Sequence, residues 1–96
     1  MRSLSFSWDE RKNRENQKKH GVSFNEAKTV FYDEGARLAH DPDHSNQEDR
    51  FILLGFSATL RMLVVCHCYQ EREGVIRLIS ARKATKHEQK NYQENL

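Results

Sequence analysis

Three apolar runs crowd the second half of an otherwise polar chain: Arg50–Phe56, Leu60–Tyr69 and Val75–Ala81. The segments between them are short, Ser57-Ala58-Thr59 and Gln70–Gly74. Connections of that length join antiparallel neighbours and leave no room for the helix of a parallel crossover. The chain is therefore expected to fold around an antiparallel meander. In the central run Leu60, Met62, Val64, Cys66 and Cys68 share one strand face and are all apolar. The other face reads Arg61, Leu63, Val65, His67 and Tyr69. The expectation is a sheet whose even-numbered face packs on helices while the mixed face stays open.

Helix signals flank the meander. Ser7-Trp8-Asp9-Glu10 matches a capping box and predicts a helix from Trp8 to His20, ended by Gly21. Trp8 is its only large apolar residue, which predicts a surface helix with Trp8, Lys12, Glu15 or Asn16, and Lys19 in one row. Ser23–Glu26 is a second capping box. Phe24, Ala27, Val30 and Phe31 follow at helical spacing, so this helix is expected against the even face of the sheet, up to Asp33-Glu34-Gly35. Leu4 and Phe6 alternate with serines as an edge strand would, and Ala36–His40 reads as another strand. Thr85-Lys86-His87-Glu88 opens a polar C-terminal helix with Ala84, Glu88 and Tyr92 on one stripe. The reading is a single α+β domain over 1–96, in the order β-α-α-β-β-β-β-α: a small antiparallel sheet with two N-terminal helices and one C-terminal helix.

Composition narrows the function. The chain has 96 residues, 36% hydrophobic and 31% charged, with one proline and four glycines. No apolar run approaches the roughly 18–20 residues of a membrane span, and no apolar stretch follows Arg2 as in a secretory leader. Cys66 and Cys68 lie on one strand face, nearly 7 Å apart by strand geometry, too far for good disulfide geometry. A reducing, cytoplasmic compartment and no membrane association are expected. The net charge is +2, but residues 33–49 carry six acidic residues against one basic, and Arg77–Lys90 holds five basic against one acidic. Basic segments around an acidic loop suggest a polyanionic partner.

Cys66-His67-Cys68 does not read as a metal site, since His67 points away from both thiols in a strand. No metal or other cofactor is expected. Nucleotide-binding glycine loops and the common hydrolase motifs are absent. What remains is cations, a few carboxylates and five histidines. Cutting RNA without metal requires a base for the 2′-hydroxyl, an acid for the 5′-oxygen and positive charge on the phosphorane. Arg61 and His67 on one strand face, Arg77 and Arg82 on the next strand, and Lys18, Lys19 and His20 at a helix end can supply these roles. Trp8, Tyr69 and Tyr92 can stack on bases.

Three stretches also carry a resemblance: Phe6–Ala27 (F-S-W-D-E-R-K-x3-N-x2-K-H-G-V-S-F-N-E-A), Asp41–Gly55 (D-P-D-H-S…E-D-R-F-I-L-L-G) and Arg72–Tyr92 (R-x4-R-L-I-S-A-R-K-A-T-x2-E-x3-Y). Together they resemble the BrnT family of type II toxin–antitoxin systems. The resemblance implies a RelE-like fold and a cytoplasmic bacterial ribonuclease toxin, independent of metal, that stops translation. It further implies a cognate antitoxin with a ribbon-helix-helix DNA-binding domain, with operator DNA bound only by the complex. The matching polar positions are Trp8, Asp9, Lys12, Lys19, His20, Glu48, Arg50, Arg72, Arg77, Ser80, Arg82 and Glu88. The Cys66-His67-Cys68 run departs from the family, which usually has aliphatic residues there.

The resulting expectations assign catalysis to Arg82, Arg61, Lys19 and His20, with attack by the RNA's own 2′-hydroxyl giving 2′,3′-cyclic phosphate and 5′-hydroxyl ends. Trp8, Lys12, Arg50, Arg72, Arg77 and Lys83 are expected to bind RNA, and Glu88 and Tyr92 to bind the antitoxin. The alternative is a module that binds nucleic acid or a partner without cutting, acting only within the antitoxin complex.

Overall fold

The computed structural model describes residues 4–44, 48–70 and 74–94. Its elements are β1 (Ser5–Ser7), α1 (Glu10–His20), α2 (Phe24–Ala27) running on into a 3-10 turn (Lys28–Tyr32), β2 (Arg37–Asp41) followed by a 3-10 turn (Pro42–His44), β3 (Arg50–Phe56), β4 (Met62–Gln70), β5 (Val75–Lys83) and α3 (Lys86–Glu94). They form one five-stranded sheet in the order β1-β5-β4-β3-β2.

β2 to β5 make the antiparallel meander, but the sheet is not antiparallel throughout. β1 pairs parallel with β5, Phe6 opposite Ile76. Most of the chain separates these two strands, so no hairpin fixes their sense.

The face assignment is also corrected. Leu63 and Val65, not the even-numbered residues, join Val22, Phe24, Ala27 and Val30 in the main core. His67 follows them on that face, fully buried, its ring 4.7 Å from Phe31. Met62 and Val64 face the other way and pack with Ala84 and Tyr92 beside α3. Both faces of β4 are apolar, so alternation within it could not choose between them. Gly55, opposite Leu63, makes the choice physical. A Cβ there would lie 3.0 Å from Val30 Cγ1 and 2.8 Å from Asp33 Oδ2, so the α2 layer can approach the sheet only over a glycine. Leu60 lies outside β4, exposed in the preceding turn at φ 64°.

Helix α1 starts later than the sequence suggests. Asp9, not Ser7, is its cap, accepting from the Arg11 N–H at 2.8 Å and the Lys12 N–H at 3.4 Å. Gly21 ends the helix at φ 69°, its N–H bonded to the Gln17 carbonyl. Trp8 therefore leaves the helical row and packs edge-on against Phe24, with centroids 6.0 Å apart. The helix itself is held by polar contacts. Asn13 Oδ1 accepts the Phe24 N–H at 2.9 Å, and buried Asn16 donates to the carbonyls of Val22 and Ala81 at 2.9 and 2.8 Å.

Candidate functional site: a cationic cleft between α1 and the even face of the sheet

The site begins with an irregularity in β5. Ala81 pairs with Val65 and Ser80 with Cys66, but His67 pairs with Leu78, so Ile79 is an extra, bulged residue. A bulge bends its strand and re-aims neighbouring side chains. β1 covers the outer edge of β5 only at Val75–Arg77. Further along, Asn16 takes over. Its amide donates to the Ala81 carbonyl, and its Oδ1 accepts the Ala81 N–H at 3.1 Å, closing the strand edge as another strand would. This clamp sets the C-terminal half of α1, and with it His20, beside Ser80 and Arg82.

The result is a cleft of about 280 Å³ whose lining includes His20, Asp41, Arg50, Cys66, Ser80 and Arg82, with Ile52, Val64 and Ile79 as apolar walls. A second cleft of about 250 Å³ shares His20, Ile79 and Ser80 and adds Lys12, Glu15, Asn16 and Lys19. Arg50 reaches the first cleft because it sits opposite the buried Asp41 on the even face, in register with Ile52 and Leu54 at alternate positions.

Arg82 is held firmly. Its Nη1 and Nη2 donate to the two carboxylate oxygens of Glu88 at 2.8 and 2.9 Å, and Nη1 also donates to the Lys83 carbonyl at 3.3 Å. The hydrogen bonds from Arg82 keep the Glu88 carboxyl at about 2. Cys66 is a half-buried thiol whose pKa is pushed up by burial, so it is a wall residue rather than a nucleophile.

The expected residues fall into distinct groups. Arg82, His20 and Arg50 line one cleft, while Lys12 and Lys19 line its neighbour. Arg77 lies further along the even face, ion-paired with Glu48 and donating from Nε to Cys68 Sγ at 3.4 Å. Lys83 is exposed beside Arg82. Arg61 stands outside the cleft lining. It precedes β4, pairs with Glu26 and donates to the Gly21 carbonyl at 3.1 Å, which ties the β3–β4 turn to the start of α2. Trp8 belongs to the α2 layer, with the Lys28 ammonium 5.9 Å from its ring centre. Tyr92 turns inward, 6% exposed, its hydroxyl donating to Asp33 Oδ2 at 2.9 Å. Glu88 is likewise engaged within the chain, and Arg72 lies outside the described residues.

Asp41 and Cys66 in the cleft, and Asn16 as its clamp, were not singled out as site residues from the sequence. Asp41 meets Arg50 only through the β2–β3 register, which no local sequence pattern sets. Among the described residues no group of three or more histidine, cysteine, aspartate or glutamate side chains is placed to hold a metal ion, and no helix is long and apolar enough to cross a membrane.

A meander with a helical layer on one face and a cationic cleft on the other makes a small α+β protein with a site suited to an anionic ligand. The family model described as "Ribonuclease toxin, BrnT, of type II toxin-antitoxin system" matches residues 8–88, and the chain belongs to this family. The fold is similar to the crystal structure of the Brucella abortus ribonuclease toxin BrnT. The TM-score is 0.66 at 22% identity, over 88% of this chain and 100% of that one. No curated protein matches the chain.

Proposed function

We propose that the cleft around Arg82 is where this toxin cleaves RNA. The observation that carries the reading is the convergence of Arg82 from β5, Arg50 from β3 and His20 from α1 on one cleft. Two arginines suit a phosphodiester because each offers paired donors and keeps its charge at any working pH. His20 is suited to moving a proton. In the proposed reaction the 2′-hydroxyl loses its proton and its oxygen attacks the adjacent phosphorus. The bond to the 5′-oxygen breaks and that oxygen is protonated, leaving a 2′,3′-cyclic phosphate and a 5′-hydroxyl. Arg82 and Arg50 neutralise the phosphorane, His20 serves one of the two proton transfers, and a water molecule serves the other. Lys12 and Lys19 hold the backbone in the neighbouring cleft, and Arg77 and Lys83 extend the cationic surface.

Arg61, committed to Glu26, is left out of this set, and so is Trp8. The charge on the phosphorane is met by protein cations and the nucleophile comes from the substrate, so the proposed route uses no metal. In this reading the RNA cut is that needed for translation in the cytoplasm. A cognate antitoxin with a ribbon-helix-helix domain covers the cleft and carries the complex to operator DNA.

The test uses the purified chain, free of partner, with bulk RNA in EDTA and with a short oligonucleotide. Cleavage with cyclic phosphate ends, blocked by a 2′-O-methyl group at the cut site, is expected. RNA that is retarded but intact would favour the non-catalytic binding module instead. Activity that vanishes in EDTA and returns with a divalent cation would defeat the metal-free route.

A further inference from the structure

We propose that Glu88 is a positioning residue for Arg82, dividing the arginine's two hydrogen-bonding edges so that one serves the protein and the other the substrate phosphate. The proposal rests on the reading that RNA binds in the Arg82 cleft.

The carboxylate is fixed before it meets the arginine. Glu88 Oε1 accepts the Thr85 N–H at 2.8 Å, while the Glu88 N–H donates to Thr85 Oγ1 at 3.2 Å. This reciprocal capping box starts α3 and locks the Glu88 side chain to the helix end. The same carboxylate then receives Arg82 end-on through Nη1 and Nη2.

A guanidinium has five N–H donors in one plane. Glu88 takes one from each terminal nitrogen, and the Lys83 carbonyl takes the second from Nη1. The donors left over are Nε–H and the outer Nη2 N–H. These two run parallel along the side of the guanidinium and form its second bidentate edge, matched to two oxygens of a phosphate. Glu88 therefore does not block Arg82. It uses the edge that a phosphate does not need, and removes side-chain freedom that binding would otherwise have to freeze. Its carboxyl is held at about 2, so it stays ionised throughout the working pH range.

Glu88→Gln separates this role from helix capping. Glutamine keeps a side-chain oxygen to accept the Thr85 N–H but loses the charge that holds the fork. In the full chain, single-turnover cleavage of a short RNA oligonucleotide at saturating protein should slow by about tenfold or more, the scale expected when a transition-state interaction is misplaced. In an Arg82→Ala background the same substitution should change nothing further.

An unchanged rate would mean that Glu88 is only a helix cap, and a faster rate that it masks Arg82. Equal slowing in the Arg82→Ala background would mean that it acts through the helix. Each of these outcomes overturns the proposal. If Arg82→Ala alone cleaves like the parent chain, the cleft reading itself fails. Should the glutamine variant not fold, Glu88→Asp, which keeps the charge but shortens the reach, carries the same expectation and the same contrary results.

Discussion

Asn16 on helix α1 takes both backbone groups of Ala81 on strand β5, donating to its carbonyl at 2.8 Å and accepting its N–H at 3.1 Å. All of this is buried, and Asn16 also satisfies the Val22 carbonyl. Asn16→Ala would leave one N–H and two carbonyls unpaired, each costing about 1–3 kcal/mol when buried. Partial access of water lowers the sum, and a loss of about 2–4 kcal/mol in urea unfolding is expected. Because the clamp also sets His20 beside Arg82, cleavage by the folded fraction should fall as well. A near-parental midpoint would show that water replaces the clamp without loss.

Arg61 provides a control against Arg82. It pairs with Glu26, whose carboxyl its hydrogen bonds hold at about 2 and which also accepts from the Ser57 and Thr59 hydroxyls at 2.7 and 2.6 Å. Arg61→Ala should cost about 1–2 kcal/mol of stability, at the lower end for a charge-assisted bond because the guanidinium is partly exposed. Cleavage by the folded protein should be unchanged. Loss of cleavage in a variant that stays folded would return Arg61 to the catalytic group.

How much of this was legible in the sequence depends on how local each signal was. The meander, the three helices and the Thr85–Glu88 cap followed from patterns within a few residues. The faces of β4 did not, because it is apolar on both sides and the deciding contact is Gly55 against Val30 and Asp33. Arg61 and Arg82 look alike in sequence, each beside a strand end. They differ in partners: Glu26, 35 residues away, and Glu88, six away. Asn13 and Asn16 look like solvent-facing residues in a polar helix. Their backbone partners include Phe24, 11 residues from Asn13, and Ala81, 65 residues from Asn16, beyond any periodicity.

Stability should fall on acidification in two stages. Burial lowers the pKa of His67 below its ordinary 6.5, so the folded state favours the neutral ring. The unfolded chain then binds more protons as pH drops below 6.5, and stability declines from there. Glu26 and Glu88 sit at about 2 against an ordinary 4.5, so their contribution is full above 4.5 and disappears as pH falls toward 2. Urea titrations from pH 8 to pH 3 should show both slopes. His67→Phe should remove the upper slope and leave the lower one. An upper slope that survives this substitution would have to come from another group.

Gly55→Ala tests the close approach of the α2 layer. The added Cβ would meet Asp33 Oδ2 at 2.8 Å and Val30 Cγ1 at 3.0 Å. Overpacking of this kind costs about 1–3 kcal/mol. Asp33 also receives the Phe56 N–H and the Tyr92 hydroxyl, so the thermal transition should move down and Tyr92 should become more exposed to solvent. An unchanged transition would show that the layer shifts freely.

The proposed cleavage depends on Arg82 as the cation that meets the scissile phosphate. The most direct measurement is single-turnover cleavage of one RNA oligonucleotide by the parent chain and by Arg82→Ala, each shown to be folded by its thermal transition. Loss of a preorganised charge that acts in the transition state predicts a fall of about 10²- to 10³-fold in the rate at saturating protein. A folded Arg82→Ala chain that cuts the oligonucleotide at the parental rate would contradict the account.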